Sequence, residues 1–155
     1  MLKVAGSPGE IRVFELMDVY AGSEPDRSFS EFYGDLTFFF HIPDAKYMLW
    51  ELEGRYVTAL RVEPYRDGFL IAGLETAPQY RRQGCATQLL DAALQWLTTH
   101  GAKRIYSHVA KNNTASQKVH TRCGFVTVAD HAVLLDGSVS ARYVTLCKNY
   151  TADTR

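Results

Sequence analysis

The stretch Leu74-Glu75-Thr76-Ala77-Pro78-Gln79-Tyr80-Arg81-Arg82-Gln83-Gly84-Cys85-Ala86 joins two segments of different periodicity, and what it joins decides the fold. Before it, Phe69-Leu70-Ile71-Ala72-Gly73-Leu74 is apolar at both parities, the pattern of a strand covered on both faces in mid-sheet. After it, Ala86, Leu89, Leu90, Ala93, Leu94 and Leu97 recur at three and four residues until Gly101, which predicts an amphipathic helix lying on that sheet. A helix entered this way leaves its first N–H groups pointing outward, backed by the positive end of its dipole. Gly84 and Ala86 lack bulk where a ligand would approach, and Arg81 and Arg82 add mobile positive charge. The loop therefore reads as an anion site suited to pyrophosphate, its arginines also able to select a terminal phosphate. An ordinary polar loop beginning at glycine is the other reading. The string is neither G-x-x-x-x-G-K-(S/T) nor G-x-G-x-x-G, so P-loop and dinucleotide cradles lack their defining residues here.

Outward from this joint, Ser7-Pro8-Gly9-Glu10 has the spacing of a capping box and predicts a helix from residue 8 to about residue 20. Ser28 and Glu31 repeat the cap spacing before Phe32, Leu36 and Phe39, marking a second helix. Residues 47–52, Glu53-Gly54 and residues 55–62 predict a hairpin, and Pro64 with Asp67-Gly68 turns the chain again. Further on, residues 103–109 read as a strand and residues 113–122 as a short helix stopped before Gly124. Residues 125–133 and 141–148 read as two strands around Asp136-Gly137. The order of strand or loop, two helices, three antiparallel strands, helix, strand, helix and hairpin places the chain in the α/β class, α+β with a mixed sheet.

The 155 residues suit one domain, 1–155. With 17 basic and 17 acidic side chains there is no net field to collect phosphates, which argues against duplex DNA. Phe38-Phe39-Phe40 and Val133-Leu134-Leu135 are the longest apolar runs, far short of the roughly 20 residues of a membrane span. Met1-Leu2-Lys3-Val4-Ala5-Gly6 lacks a secretory pattern, so a cytoplasmic location is expected. Cys85, Cys123 and Cys147 show no C-x-x-C spacing and are read as reduced thiols. Together with His41, His100, His108, His120 and His131 they show no metal-site spacing, so no metal is expected.

Arg81-Arg82-Gln83-Gly84-Cys85-Ala86 fits (Q/R)-x-x-G-x-(G/A), and Asn113, Ser116, His120 and Gly124-Phe125 follow at set spacings. On these two patterns the sequence resembles the GNAT superfamily of acyl-CoA-dependent N-acetyltransferases, over residues 46–148. The string Leu60-Arg61-Val62-Glu63-Pro64-Tyr65 through Leu74-Glu75-Thr76-Ala77-Pro78 is similar to a bacterial subgroup of it. The resemblance implies the GNAT fold, a central, mostly antiparallel sheet whose fourth and fifth strands form a splayed parallel pair, with flanking helices. It implies acetyl-CoA as co-substrate, with no metal, and acetyl transfer to a primary amine by direct attack in a ternary complex. The backbone of Leu74, Thr76 and Ala77 would pair with the pantetheine arm, and Pro78, lacking an N–H, would end that pairing. Arg81, Arg82, Gln83, Gly84, Cys85 and Ala86 would hold the pyrophosphate, with Asn113 and Ser116 also on the cofactor side. A backbone N–H near Thr76 would steady the developing oxyanion. His120 stands where the family commonly has a tyrosine that protonates the departing thiolate.

Acetyl transfer needs a neutral amine, whereas an alkylamine has a pKa of about 10.4. Glu75, at the carboxyl end of the central strand, is the first candidate base, and Glu63, bordering a turn, is the weaker one. Glu75 also reads as a strand-end carboxylate paired with an arginine, or as a group that orients the acceptor. His120, with a pKa of about 6.5 against about 8.5 for a thiol, can act as the acid. It also shares a helical stripe with Ser116, Val119 and Cys123, so a packed, hydrogen-bonded histidine stays open. His108 is weakly informative, and Cys85 reads as filler. Phe29, Phe32, Tyr33, Phe38, Phe39, Phe40, Tyr47 and Trp50 form either a core or a wall for an apolar amine. The acceptor is expected to be a small-molecule amine or a protein amine, and the assembly a monomer or homodimer. The rivals are a non-catalytic CoA-binding sensor and an acyltransferase acting on a protein or on aminoacyl-tRNA.

Overall fold

The computed structural model describes residues 1–151, so the last four residues of the expected 1–155 domain lie outside the described residues. The chain runs β1 Leu2–Ala5, α1 Val13–Tyr20, α2 Phe29–Phe39, β2 Lys46–Leu52, β3 Arg55–Tyr65, β4 Gly68–Thr76 and α3 Cys85–Thr99. It continues with β5 Arg104–Ala110, α4 Thr114–Arg122, β6 Val126–Ala129, β7 Ala132–Val133, β8 Val139–Ser140 and β9 Tyr143–Asn149. Seven strands form one sheet in the order β1-β2-β3-β4-β5-β9-β6, while β7 and β8 make a separate ribbon. Within the large sheet β4 and β5 run parallel and every other pair is antiparallel. This is the mixed sheet expected from the sequence.

Alternation along the strands sorts the side chains onto two faces. Met48, Leu60, Val62, Ile71, Ile105 and Leu146 pack under the α3 stripe of Leu89, Leu90, Ala93, Leu94 and Leu97. Tyr47, Leu49, Tyr56 and Ala59 face the other way, against Leu16, Val19 and Tyr20 of α1 and Phe32 and Leu36 of α2. Burying a large apolar side chain fully is worth about 1.5–3 kcal/mol, so these two layers supply the main stabilisation. No helix among the described residues is long and apolar enough to cross a membrane.

Four local expectations change. The helix expected from residue 8 is a single 3-10 turn, Pro8–Glu10, and α1 starts at Val13. Burial of the Ile11 side chain requires an extended backbone there, and Glu10 accepts from the Gly6 N–H at 2.6 Å instead of completing a box with Ser7. The Ser28–Glu31 box, by contrast, forms fully. Pro64 lies inside β3, beyond the last residue that β2 pairs, where a missing N–H costs nothing. Arg66-Asp67 make the turn, since Gly68 already pairs with Tyr65. The strand expected over residues 125–133 divides because a register shift between Thr127 and Ala129 releases the chain toward the β7–β8 ribbon.

Candidate active site

β4 pairs with β5 only from Phe69 opposite Ile105 to Ile71 opposite Ser107. Beyond that point β4 is half-exposed, so the expected covering of both faces holds only for its first half. On the β3 side, Ala59 lies opposite Glu75 but Arg61 opposite Ala72, so Gly73 and Leu74 bulge against Leu60. Gly73 adopts φ 65°, and a Cβ there would press on the Arg61 guanidinium at 3.2 Å. The Tyr20 hydroxyl donates to the Gly73 carbonyl at 2.6 Å and fixes the bulge. Burial pushes the Tyr20 phenol well up, which keeps it a donor.

The Ala77 N–H donates to the Val57 carbonyl at 2.8 Å. In an antiparallel ladder this makes Thr58 and Thr76 a non-hydrogen-bonded pair, in keeping with their hydroxyls 3.2 Å apart. The main-chain groups of Thr76, and by alternation those of Leu74, therefore face the gap that β5 leaves. Ala77 does not join them: its N–H is engaged and the residue is buried. That corrects its expected place on the pantetheine edge.

The loop after Pro78–Tyr80 has Arg82 at φ 64° and Gly84 at φ 80°, two left-handed residues that turn successive amides inward. The first α3 hydrogen bond runs from the Gln88 N–H to the Gly84 carbonyl at 3.0 Å. The N–H groups of Cys85, Ala86 and Thr87 precede it and have no helical acceptor. A Cβ at Gly84 would meet no atom within 4 Å, so the turn itself is open at that residue. The geometry of these N–H groups fits a diphosphate.

Not every side chain expected in this cradle points into it. Arg81 turns away, donating from Nε to the Thr76 carbonyl at 3.3 Å and placing Nη2 3.9 Å from Glu75 Oε1. It also lies against Gly22 in the connection after α1, where a Cβ would collide with Nη2. Arg82 is exposed, whereas the Gln83 amide folds back on the Gln79 carbonyl at 3.4 Å. Cys85 is buried and its thiol is pushed up by desolvation, leaving only its N–H for an anion.

A cleft of about 700 Å³ opens along the gap, lined by Leu74, Glu75, Asn113, Ser116 and His120 among others. The Asn113 side chain caps α4 by accepting from the Ser116 N–H at 3.1 Å. Desolvation raises the Glu75 carboxyl, partly offset by the Arg81 charge. Glu63 and His108 line the same cleft. Glu63 Oε2 and His108 Nε2 are both buried without a partner among the described residues. Desolvation raises Glu63, against the pull of Arg61, and lowers His108, assisted by Arg66. For Glu63 the signal lies in β3: Leu60 and Val62 belong to the core under α3, which puts Arg61 and Glu63 together on the opposite face. None of the aromatic residues considered as an acceptor wall lines this cleft; Leu134, Leu135 and Tyr143 from the C-terminal segment do. Among the described residues no group of three or more His, Cys, Asp and Glu side chains could hold a metal ion.

His120 is 1% exposed and both its ring nitrogens are engaged. Nδ1 lies 2.7 Å from the Ser116 carbonyl, which can only accept, so Nδ1 carries the proton. Nε2 then accepts from the Ser107 hydroxyl at 2.8 Å. Desolvation lowers its pKa, keeping the ring neutral with its one proton committed to Ser116. The acid role expected of it is not what these hydrogen bonds supply; they pin α4 to β5. His120→Ala should cost about 2–4 kcal/mol in a denaturant titration at pH 7.5. A group lowered in the folded state contributes stability that is full above its unfolded pKa, here 6.5, and is lost as pH falls through the lowered folded value. The alanine variant should lack that component of acid destabilisation, and wild-type stability in the variant would refute the pinning role.

The family model described as Acetyltransferase (GNAT) family matches residues 13–125. The chain is 38% identical over 55 residues to the aminoglycoside N(6')-acetyltransferase type 1 of Salmonella typhimurium, covering 36% of this chain and 38% of that protein. It is 26% identical over 94 residues to the uncharacterized N-acetyltransferase YobR of Bacillus subtilis, covering 60% of this chain and 38% of that protein. These matches thus span well under half the length of the curated relatives. Among solved structures, an acetyltransferase from Thermus thermophilus superposes with a TM-score of 0.73 at 17% identity, over 96% of this chain and 97% of that one. An aminoglycoside 6'-N-acetyltransferase complexed with coenzyme A superposes with a TM-score of 0.71 at 11% identity, over 99% of each chain. At such identities the likeness is one of fold.

Proposed function

This chain belongs to the GNAT acetyltransferase family, and on that premise we propose that it transfers acetyl from acetyl-CoA to the primary amine of a small molecule by direct attack in a ternary complex. One observation carries the reading: the edge of Leu74 and Thr76, which β5 does not pair and where only the Thr76 carbonyl is engaged, by Arg81, runs into the loop that ends in the acceptor-free amides of Cys85, Ala86 and Thr87, with half-buried Glu75 on the same strand end. When bound, acetyl-CoA supplies an acyl thioester already activated toward amines. Leu74 and Thr76 would hold its amide-bearing arm as a strand partner, and the amides before α3, with Arg82, its diphosphate.

Glu75 would take the proton of the incoming ammonium, and desolvation, by raising its carboxyl, narrows the gap to the amine's pKa of about 10.4. Arg81 stands 3.9 Å behind that carboxylate and favours its ionised form against the desolvation. The Thr76 N–H, turned to the gap, would face the carbonyl oxygen that gains charge. Holding amine and thioester together in the splay supplies much of the rate.

The hydrogen bonding of His120 favours one alternative, a CoA-binding sensor without turnover, because the ring's one proton is committed to Ser116 rather than free for the departing thiolate. Thiol release from acetyl-CoA across a broad amine panel separates the two. Amine-dependent release establishes the transferase; tight CoA binding with no release from any amine establishes the sensor.

A further inference from the structure

Arg61 and Glu63 are separated by one residue on β3, project to the same face, and both line the cleft. The rise of a strand sets their Cα atoms about 6.7 Å apart. Neither forms an ion pair among the described residues, with each other or with anything else. The Arg61 guanidinium is wedged beneath the Gly73 bulge and over the Phe39 ring, 5.8 Å from its centroid, with the Tyr20 and Tyr47 phenols beside it and the Glu63 charge acting on it only from beyond ion-pair distance. Glu63 has one carboxylate oxygen buried and unpartnered.

Fixed, partly desolvated charges of opposite sign that attract across a gap without closing an ion pair are costly unless a ligand completes both. A polycation could satisfy Glu63 but would bring its charge against Arg61, and a neutral amine would leave Arg61 without an anion. A zwitterion satisfies both. The other charges on the cleft do not change this balance: Glu75 has Arg81 within 3.9 Å, and Asp136 accepts from Ser138 on an exposed turn. We propose that the acceptor is an amino-acid-like molecule, a primary amine bearing a carboxylate, whose carboxylate docks on Arg61 while its ammonium docks against Glu63. The proposal rests on the acetyl-transfer reading and names the substrate class of that same cleft.

The test compares each carboxylated amine with its decarboxylated twin: L-leucine with isoamylamine, and γ-aminobutyrate with propylamine, with spermidine and kanamycin as carboxylate-free polycations. Thiol release from acetyl-CoA is followed, and the same compounds are titrated calorimetrically into the CoA complex. The carboxylated member of at least one pair should have kcat/KM about 30-fold or more above its twin, the strength of one charge-assisted contact. Arg61→Met should erase that preference through KM, and Arg61→Lys should restore part of it. Since Arg61 also packs on Phe39, Glu63→Gln provides a second variant; it should raise KM for both twins alike. Twins of equal kcat/KM, or polycations that outperform every carboxylated amine, would overturn the substrate class and leave acetyl transfer standing. If CoA binds and no amine releases thiol, acetyl transfer itself fails, and the calorimetry then decides the site. Carboxylate-dependent heat that disappears in Arg61→Met supports it, and its absence overturns it.

Discussion

Glu75→Gln should lower kcat by about 100-fold or more, within the range that general-base residues contribute, while CoA affinity stays within about 2-fold. The glutamine keeps the shape and the position beside Arg81 but cannot take a proton. In the wild type, desolvation raises this carboxyl above its ordinary 4.5, so activity should climb with pH through a limb lying above the usual carboxylate range. That limb should vanish in the variant. Arg81→Gln should move it further upward, because the guanidinium favours the ionised carboxylate. A pH profile and kcat unaltered by Glu75→Gln would transfer the base role to Glu63, the other raised carboxyl in the cleft.

Gly84→Val should weaken CoA binding about 100-fold or more. At φ 80° a β-branched residue is strained by about 1–2 kcal/mol, and its relief would rotate the Gly84 and Cys85 amides out of line. Each charge-assisted hydrogen bond lost as those amides turn would cost about 1.5–3 kcal/mol. Gly9→Ala, at an exposed position with nothing within 4 Å and no positive φ, serves as the control and should bind as wild type. Equal affinities for the two variants in a calorimetric titration would mean that the diphosphate does not approach this turn.

Most of the architecture was legible because its elements carry strong periodicities. The α3 stripe, the Ser28–Glu31 box and the turn at Glu53-Gly54 are local signals that tertiary packing reinforces. The false start at Pro8 shows where local signals fail: a capping pattern lost to the burial of one side chain, Ile11, which sequence spacing does not weigh. The site divides in the same way. The amide cradle could be read because it depends on backbone geometry encoded by Gly84 and its neighbours. Side-chain directions could not, since Arg81 turns to Glu75 and Gly22, and His120 to Ser107, through contacts across separate elements. Glu63 was undervalued because its distance from the turn is set by how far β3 extends, and β3 runs through Pro64 to Tyr65.

Diphosphate recognition by main-chain N–H groups underlies both the cofactor site and the chemistry placed beside it, and an amide-resolved NMR titration of the full chain with CoA tests it directly. The largest shifts at saturation should fall on Gly84, Cys85, Ala86 and Thr87, with a second set at Leu74 and Thr76, and pantetheine alone should move only the second set. Saturation by CoA with the residue 84–87 amides unmoved, or no shifts at all, would contradict it.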